Sequence, residues 1–247
     1  MRRAVMALLA VTLLSTTQPN RIAEAQSSQT LYRATLVQAA PGNLLLLIEQ
    51  LKQRIAAETK AGEPPTWMIR HSQGDAWDLL LLTPIGGYDY FSERRASARE
   101  RAQREAGLPV DYGNAIAWQE DVFVFGPTIE EARAAIAKHN FFHVEMFIAL
   151  AGKHAELRRE REMENAYQRV LGRPQNMIFT RDMGAAWDSF TIGAYRDLKH
   201  YAESADIPTD KQEEAARAAG FQSASHIGPY LRTLIRSHHD TLATAVR

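Results

Sequence analysis

One five-residue pattern occurs twice in the sequence, and this repeat limits the possible folds more than any other feature. Residues 74–78 read "GDAWD" and residues 184–188 read "GAAWD", an offset of 110. With the same offset, residues 31–51 align with residues 141–161 without a gap, and both apolar positions and a glycine match. A repeat of this length indicates two copies of one supersecondary unit.

The order of predicted elements is the same in each copy, β-α-β-β-α-β with an extra helix at the end. In the first copy they are a strand (31–38), a helix (44–55), a hairpin of two strands through Gln73-Gly74, a charged helix (91–106), a strand (121–125) and a helix from Pro127. Thr128 and Glu131 have the spacing of a capping box, as do Thr209 and Gln212. We predict a first repeat over residues 31–140 and a second over residues 141–247.

The end of the second copy is the weakest part of this alignment. An offset of 102 places residues 227–242 on residues 125–140, so that a fourth strand falls near 221–227 and a helix follows. Leu231, Leu234 and Ile235 have helical spacing, and His238 lies on the same stripe. The prediction is therefore a C-terminal helix that carries His238 and His239.

This element order is that of the ferredoxin-like split βαβ unit. A tandem pair of such units resembles the α+β barrel superfamily, which includes antibiotic-biosynthesis-type monooxygenases, EthD-like and NIPSNAP-like proteins, and haem proteins of the chlorite dismutase type. The resemblance covers about residues 31–246 and rests on element order and duplication. It implies an α+β fold in which two sheets pack face to face as one intramolecular barrel. The sequence contains no catalytic signature of these families, so no functional residue is transferred from them.

The N-terminus has the three parts of a secretory signal peptide. Arg2 and Arg3 are followed by an apolar run over residues 4–14, and Ala23-Glu24-Ala25 fits a signal peptidase site. The run is shorter than the ~20 residues that span a bilayer. We predict a signal peptide over residues 1–25, a short linker over residues 26–30, and a secreted or periplasmic protein.

The composition excludes several classes of function. Beyond residue 25 the chain has 26 basic and 28 acidic side chains, which gives no electrostatic reason to expect nucleic acid as a partner. Without cysteine, the chain has neither disulfides nor thiolate metal sites. No later segment has the length and apolarity of a membrane span. The oligomeric state is left open.

The repeated Trp-Asp pair has two interpretations. Trp77 and Trp187 pack beneath helices while Asp78 and Asp188 cap the turns, or one member of each pair lines a pocket between the sheets. In a strand, successive side chains point to opposite faces, so only one of the two can enter such a pocket.

Alternation along "FFHVEMFIAL" predicts where His143 and Glu145 point. The apolar side (Phe142, Val144, Met146) is expected to meet the helices, so His143 and Glu145 would line the inter-sheet space, as Arg33 would in the first half. They form either a satisfied polar pair or a pocket for a substrate or metal, since His-x-Glu can supply two ligands from one strand face.

His238, His239 and Asp240 near a barrel mouth could supply metal ligands or a base with its orienting carboxylate, or His238 could be a hydrogen-bonded core residue. His71 lies at a hairpin tip.

The sequence leaves two functions open: an exported barrel that binds a small molecule in the inter-sheet cavity, or a monooxygenase-like enzyme that uses His143 and Glu145. The sequence requires no cofactor, although haem or a divalent metal is compatible with it.

Overall fold

The computed structural model describes residues 29–109 and 112–247, so the predicted signal peptide lies outside the described residues. Within these ranges the chain forms eight strands and seven α-helices. The strands are β1 (Thr30–Ala39), β2 (Trp67–Gln73), β3 (Leu79–Pro84), β4 (Ile116–Gly126), β5 (Phe141–Ala149), β6 (Met177–Gly184), β7 (Ser189–Tyr195) and β8 (Ile235–Val246). The helices are α1 (Leu44–Lys60), α2 (Glu93–Glu105), α3 (Ile129–Lys138), α4 (His154–Val170), α5 (Leu198–Ala202), α6 (Thr209–Ala218) and α7 (Ile227–Arg232).

The eight strands close into one antiparallel barrel in the order β1-β3-β2-β8-β5-β7-β6-β4. Each half supplies four consecutive strands of this ring, β2-β3-β1-β4 or β6-β7-β5-β8, which is the ferredoxin-like arrangement. The halves meet at two seams, where β2 pairs with β8 and β4 pairs with β6. The predicted α+β barrel of two tandem repeats is confirmed.

Strand register shows which positions of the two halves correspond. Thr35 of β1 lies opposite Asp121 of β4, and Glu145 of β5 lies opposite Asp240 of β8. The first strands are therefore related by an offset of 110 and the fourth strands by an offset of 119. The longer offset reflects the additional helices between β7 and β8.

The predicted end of the second half is wrong. Residues 221–227 contain no strand, and residues 235–246 form β8 instead of a helix, so His238 and His239 lie on a strand. Helix α7 ends at Arg232, and Leu231, Leu234 and Ile235 pack with Phe147 outside the barrel. Since β8 runs to Val246, the extra helix after the fourth strand occurs only in the first half of the described chain.

One of the two predicted capping boxes is confirmed. The Thr128 hydroxyl accepts a hydrogen bond from the Glu131 backbone amide, and the Glu131 carboxylate accepts one from Thr128. Thr209 is instead the first residue of α6, and the Gln212 side chain donates to the Ile207 carbonyl.

The barrel interior is filled by apolar side chains of both halves. Phe142, Val144 and Met146 of β5 lie in this core together with Leu80 and Leu82 of β3. The apolar side of β5 therefore faces the interior, and His143, Glu145 and Phe147 face outward beneath α4, the reverse of the prediction. An eight-stranded barrel leaves an interior just wide enough for side chains. The inner face of the sheet is therefore packed with side chains and excludes water, while the helices cover only part of its outer face.

Among the described residues, no helix combines the length and the apolarity that a membrane span requires.

Candidate functional site

In each half, polar side chains lie between the outer face of the sheet and the helix that follows the first strand, and we call these two regions the clefts. The first-half cleft lies between β1 and α1, and the second-half cleft lies between β5 and α4. Arg33 and Thr35 line the first, and His143 and Glu145 occupy the equivalent strand positions in the second.

In the second-half cleft, three side chains from two neighbouring strands converge. His143 and Glu145 project from β5, and Asp240 projects from the adjacent β8. The His143 Nε2 atom lies 3.2 Å from the Asp240 Oδ1 atom. One potential ligand atom from each of the three residues lies within 4.8 Å of the others. The structure thus adds a second carboxylate to the predicted His-x-Glu pair.

Arg161 of α4 closes the cleft over Glu145. Its guanidinium donates two hydrogen bonds to Glu160, at 2.6 and 2.8 Å, and lies 2.7 Å from the Glu164 carboxylate. It also donates to Glu145 at 3.5 Å and lies over the ring of Phe147. Glu160 and Arg161 are 0% and 3% exposed, so these charges are paired away from water.

The cleft contains more carboxylates than cationic groups. Four of them (Glu145, Glu160, Glu164, Asp240) surround one arginine and one histidine. Burial and then the charge of Glu164 raise the pKa of Glu145 to about 7, although Arg161 and His143 oppose the shift. The carboxyl group of Glu145 therefore changes protonation near neutral pH, which suits a general acid or base.

The hydrogen bond between His143 and Asp240 affects both groups. Burial lowers the pKa of His143, but the bond to Asp240 and the charge of Glu145 outweigh it, and the net pKa is raised. The same bond lowers the pKa of Asp240. Burial lowers the pKa of Arg161, but the nearby carboxylates of Glu164 and Glu160 raise it by more. The net pKa is therefore raised, and Arg161 keeps its charge.

The three converging residues suit a divalent cation in ligand type. Carboxylate oxygens and a histidine nitrogen bind zinc at about 2.0–2.2 Å, and three protein ligands leave a position for water or substrate. The three ligand atoms, which lie within 4.8 Å of one another, would have to move closer together to reach such distances. Asp240 is the half-exposed member, with 48% of its side chain accessible, so a metal ion held there would be accessible from solvent.

The predicted residues His238 and His239 separate on β8. The His238 Nε2 atom lies 3.1 Å from the Asp240 Oδ2 atom, at the edge of the second-half cleft. Burial, Arg232 and Arg161 lower the pKa of His238 despite the charge of Asp240. His239 points to the other side of the strand, where its Nδ1 atom lies 3.2 Å from Asp75 and its ring meets Trp187.

The repeated Trp-Asp pairs are structural in both halves. Trp77 is 2% exposed in the barrel core, and Trp187 packs against that core. Asp78 accepts a hydrogen bond from the Ala39 amide and Asp188 accepts one from the Ala149 amide, each at 2.8 Å. The aspartates thus fasten the turn before β3 or β7 to the end of the neighbouring strand.

The remaining pocket predictions lie apart from the second-half cleft. His71 of β2 meets the edge of Trp77, and its Nε2 atom is buried without a hydrogen-bond partner among the described residues. Arg33 lies in the first-half cleft near Tyr90 and Phe91. Neither residue lines a space between two sheets, because closure of the barrel fills that space.

Sequence reasoning missed Glu160 and Glu164 as parts of the cleft, and it did not place Asp240 beside His143 and Glu145. One signal for Asp240 was available in residues 237–241, "SHHDT". His238 and Asp240 are two positions apart, so they would share one face if this segment were a strand. The helical spacing of Leu231 and Leu234 favoured a helix here, so the strand was not predicted. Glu160 and Glu164 carry no signal of their own in a helix rich in charged residues.

Comparison with known proteins identifies a fold class. No family model matches the chain, and no curated protein matches it. The structure is similar to an anthrone oxidase-like protein, with a TM-score of 0.58, 12% identity and coverage of 89% of this chain and 92% of that one. It is also similar to a protein assigned as a monooxygenase from Fusobacterium nucleatum subsp. nucleatum ATCC 25586 (TM-score 0.52, 7% identity, 89% and 94% coverage).

These likenesses establish the fold alone: the chain has an α+β barrel similar to the folds of these two proteins, as its element order predicted. A haem is a large apolar macrocycle, and the second-half cleft, which holds the candidate axial ligands His143 and His238, is occupied by the buried charges of Glu145, Glu160 and Arg161. These residues do not fit a haem.

Proposed function

We propose that the protein is an exported α+β barrel that binds one divalent metal ion in the second-half cleft, through His143, Glu145 and Asp240. The observation that carries the proposal is the convergence of one imidazole and two carboxylates on adjacent strands, within 4.8 Å of one another. Two rigid strands in fixed register supply all three groups, which favours a built site over a chance surface cluster.

The charges around the three residues support a cation. Glu160 already receives two hydrogen bonds from Arg161, and Glu164 receives the third contact of the same guanidinium. Glu145 is left with the longest of the Arg161 contacts, 3.5 Å, and a hydrogen bond from Thr191 at 3.3 Å. A buried carboxylate held this loosely gains more from a cation than its neighbours do.

The proposed activity is chemistry on a small organic molecule at the solvent-facing side of Asp240. A bound divalent ion supplies Lewis acidity at that position. Arg161 contacts Glu145 from α4, and His238 shares Asp240 with His143 at the rim. The oxidase-like and monooxygenase names of the structural neighbours make oxygenation the reaction class to test first.

Titration calorimetry with MnCl2 and with ZnCl2, on protein first treated with EDTA and dialysed, tests the metal site. We expect one ion per chain, and at least tenfold weaker binding for Glu145→Gln and for Asp240→Asn. Asp240 is half-exposed, so Asp240→Asn is expected to fold even if Glu145→Gln does not. His143→Gln combined with Glu145→Gln is expected to abolish binding and to leave the melting temperature within a few degrees.

Asp121→Asn is the matched control, because Asp121 occupies the position of Asp240 in the first half. It is expected to leave metal affinity unchanged. Absence of binding to the unmodified chain, or equal affinities for Asp240→Asn and Asp121→Asn, would refute the proposed metal site.

Export is proposed from the N-terminal pattern alone. When a bacterial host expresses the full chain, N-terminal sequencing of the exported protein is expected to begin at Gln26 or close to it. Intact Met1 on protein in the cytoplasmic fraction would overturn this part of the proposal and would leave the metal site unaffected.

A further inference from the structure

The first-half cleft contains a cavity of about 80 Å³ beside Arg33. Polar side chains, including Arg33, Thr35 and Tyr112, line part of it. The apolar lining residues are Val37, Leu51, Ile55, Leu81 and Ile116. The cavity therefore has a polar part and an apolar part.

Arg33 has no acidic partner in the described part of the chain. Its Nε atom is buried without a hydrogen bond, and its guanidinium carbon lies 5.7 and 6.0 Å from the ring centres of Tyr90 and Phe91. A guanidinium that lies against two rings and forms no ion pair can bind an anion.

The carboxylates near Arg33 are engaged elsewhere. Glu58 pairs with Arg54 at 2.9 Å, and Glu63 pairs with Arg95 at 2.8 Å and with Arg99 at 3.6 Å. Asp121 accepts a hydrogen bond from the Thr35 hydroxyl. The first-half cleft thus has an unused positive charge, whereas the second-half cleft has unused negative charge.

Tyr112 gives a second, independent indication. The residue is 7% exposed, and its buried hydroxyl, which lies near the Arg54 guanidinium, has no hydrogen-bond acceptor among the described residues. It lines the same cavity as Arg33. A buried hydroxyl donor and a buried guanidinium Nε on one cavity both lack an acceptor, and each such group is costly unless an acceptor is supplied.

We propose that this cavity binds a short-chain monocarboxylate. Its carboxylate accepts from Arg33 and Tyr112, and its alkyl tail packs against Leu51, Ile55 and Leu81. Arginine matches a carboxylate with two parallel hydrogen bonds. A cavity of roughly 150 Å³ holds benzene, so this partly open cavity of about 80 Å³ encloses only part of a ligand with six non-hydrogen atoms such as butyrate.

Calorimetric titration of the purified full chain at pH 7 with acetate, propionate, butyrate and inorganic phosphate tests the proposal. Each added methylene is expected to tighten binding by about fourfold until the cavity is full, with one site per chain. Phosphate is expected to bind more weakly than butyrate, because it lacks a tail. Equal affinities for acetate, butyrate and phosphate would overturn the proposal.

Arg33→Gln is expected to weaken butyrate binding at least tenfold without lowering the melting temperature, because Arg33 has no ion pair to lose. The matched control is Arg94→Gln, an equal change of charge at an exposed position of α2, which is expected to bind as the unmodified chain does. Equal binding by the two variants would refute the role of Arg33.

Tyr112→Phe removes only a hydroxyl and is expected to weaken butyrate binding several-fold. It keeps the test decisive if Arg33→Gln fails to fold, since unchanged butyrate affinity in Tyr112→Phe contradicts the proposed contact. Glu145→Gln is expected to leave butyrate affinity unchanged. The carboxylate site and the metal site therefore succeed or fail separately.

Discussion

The two outer clefts have the same scaffold and opposite chemistry. Three positions correspond by strand register: Arg33 with His143, Thr35 with Glu145, and Asp121 with Asp240. In the first half, the single carboxylate of this set accepts from threonine and leaves an arginine unpaired. In the second half, two carboxylates and a histidine share one space.

The helices that cover the two clefts, α1 and α4, also differ in polarity. Leu51 of α1 packs with the apolar residues of the first-half sheet, whereas Arg161, at the equivalent position of α4, is enclosed by carboxylates. The duplicated barrel therefore keeps its interior apolar in both halves and varies its outer faces. The polar side chains that differ between the halves lie outside the barrel.

The largest effect is expected from replacing the arginine that distinguishes α4 from α1. Arg161→Leu installs the first-half residue and leaves Glu145 and Glu160 buried without their cation. Breaking a buried charge pair in this way costs about 3–5 kcal/mol. Urea unfolding at pH 7 measures it.

Arg158→Leu is the control on the same helix, because Arg158 is 38% exposed and pairs with Glu162. Loss of an exposed pair costs about 0–1 kcal/mol. If the two leucine variants lose equal stability, the charges of the second-half cleft do not depend on Arg161.

A smaller effect is expected from pH, and it should arise in the second-half cleft. Burial raises the pKa of Glu145 from 4.5 to about 7, so the folded chain holds a proton that the unfolded chain has lost between these values. This stabilisation is complete below pH 4.5 and is lost as the pH rises through about 7. The loss amounts to at most about 3 kcal/mol.

Urea unfolding of EDTA-treated protein from pH 4.5 to pH 8 tests this dependence. Stability is expected to fall over that range in the unmodified chain and to fall less in Glu145→Gln. His143, whose pKa is also raised, adds a loss of the same sign. Glu156→Gln, at an exposed position of α4, is expected to keep the original slope; the same slope in Glu145→Gln would contradict the assignment.

The smallest effect separates the two copies of the Trp-Asp repeat. An asparagine oxygen can still accept the backbone hydrogen bond, so Asp78→Asn is expected to be nearly neutral. Asp188 also pairs with Arg181 and with His154. Asp188→Asn is therefore expected to cost about 1 kcal/mol more. Thermal unfolding of both variants measures the difference, and equal melting temperatures would show that the Arg181 pair contributes nothing.

The barrel could be predicted from the sequence because duplication is visible without any structure. The paired Gly-x-Ala-Trp-Asp stretches mark equivalent hairpins, and the first half follows helical and strand periodicity throughout. The last strand could not be predicted, because the spacing of Leu231, Leu234 and Ile235 is helical and the pairing partners that make residues 235–246 a strand include β2. That strand lies more than 160 residues earlier.

The candidate site could be predicted in part. His143 and Glu145 were found because an ion-forming pair stands in an apolar strand. Their direction was misjudged, since alternation divides a strand into two faces without indicating which one enters the barrel. Asp240 became a neighbour of Glu145 only through the pairing of β5 with β8.

The two seams of the barrel have a consequence for how the chain acquires its structure. Met68 of β2 pairs with Val246, so the ring cannot close until the last residues of the chain are present. Contacts so distant in sequence require a large loss of chain entropy before they form, and topologies that depend on them fold slowly. Until then, β2 and β5 each expose an unpaired edge, which other extended chains can join. A nascent chain that stops short of residue 235 is therefore an open sheet prone to association.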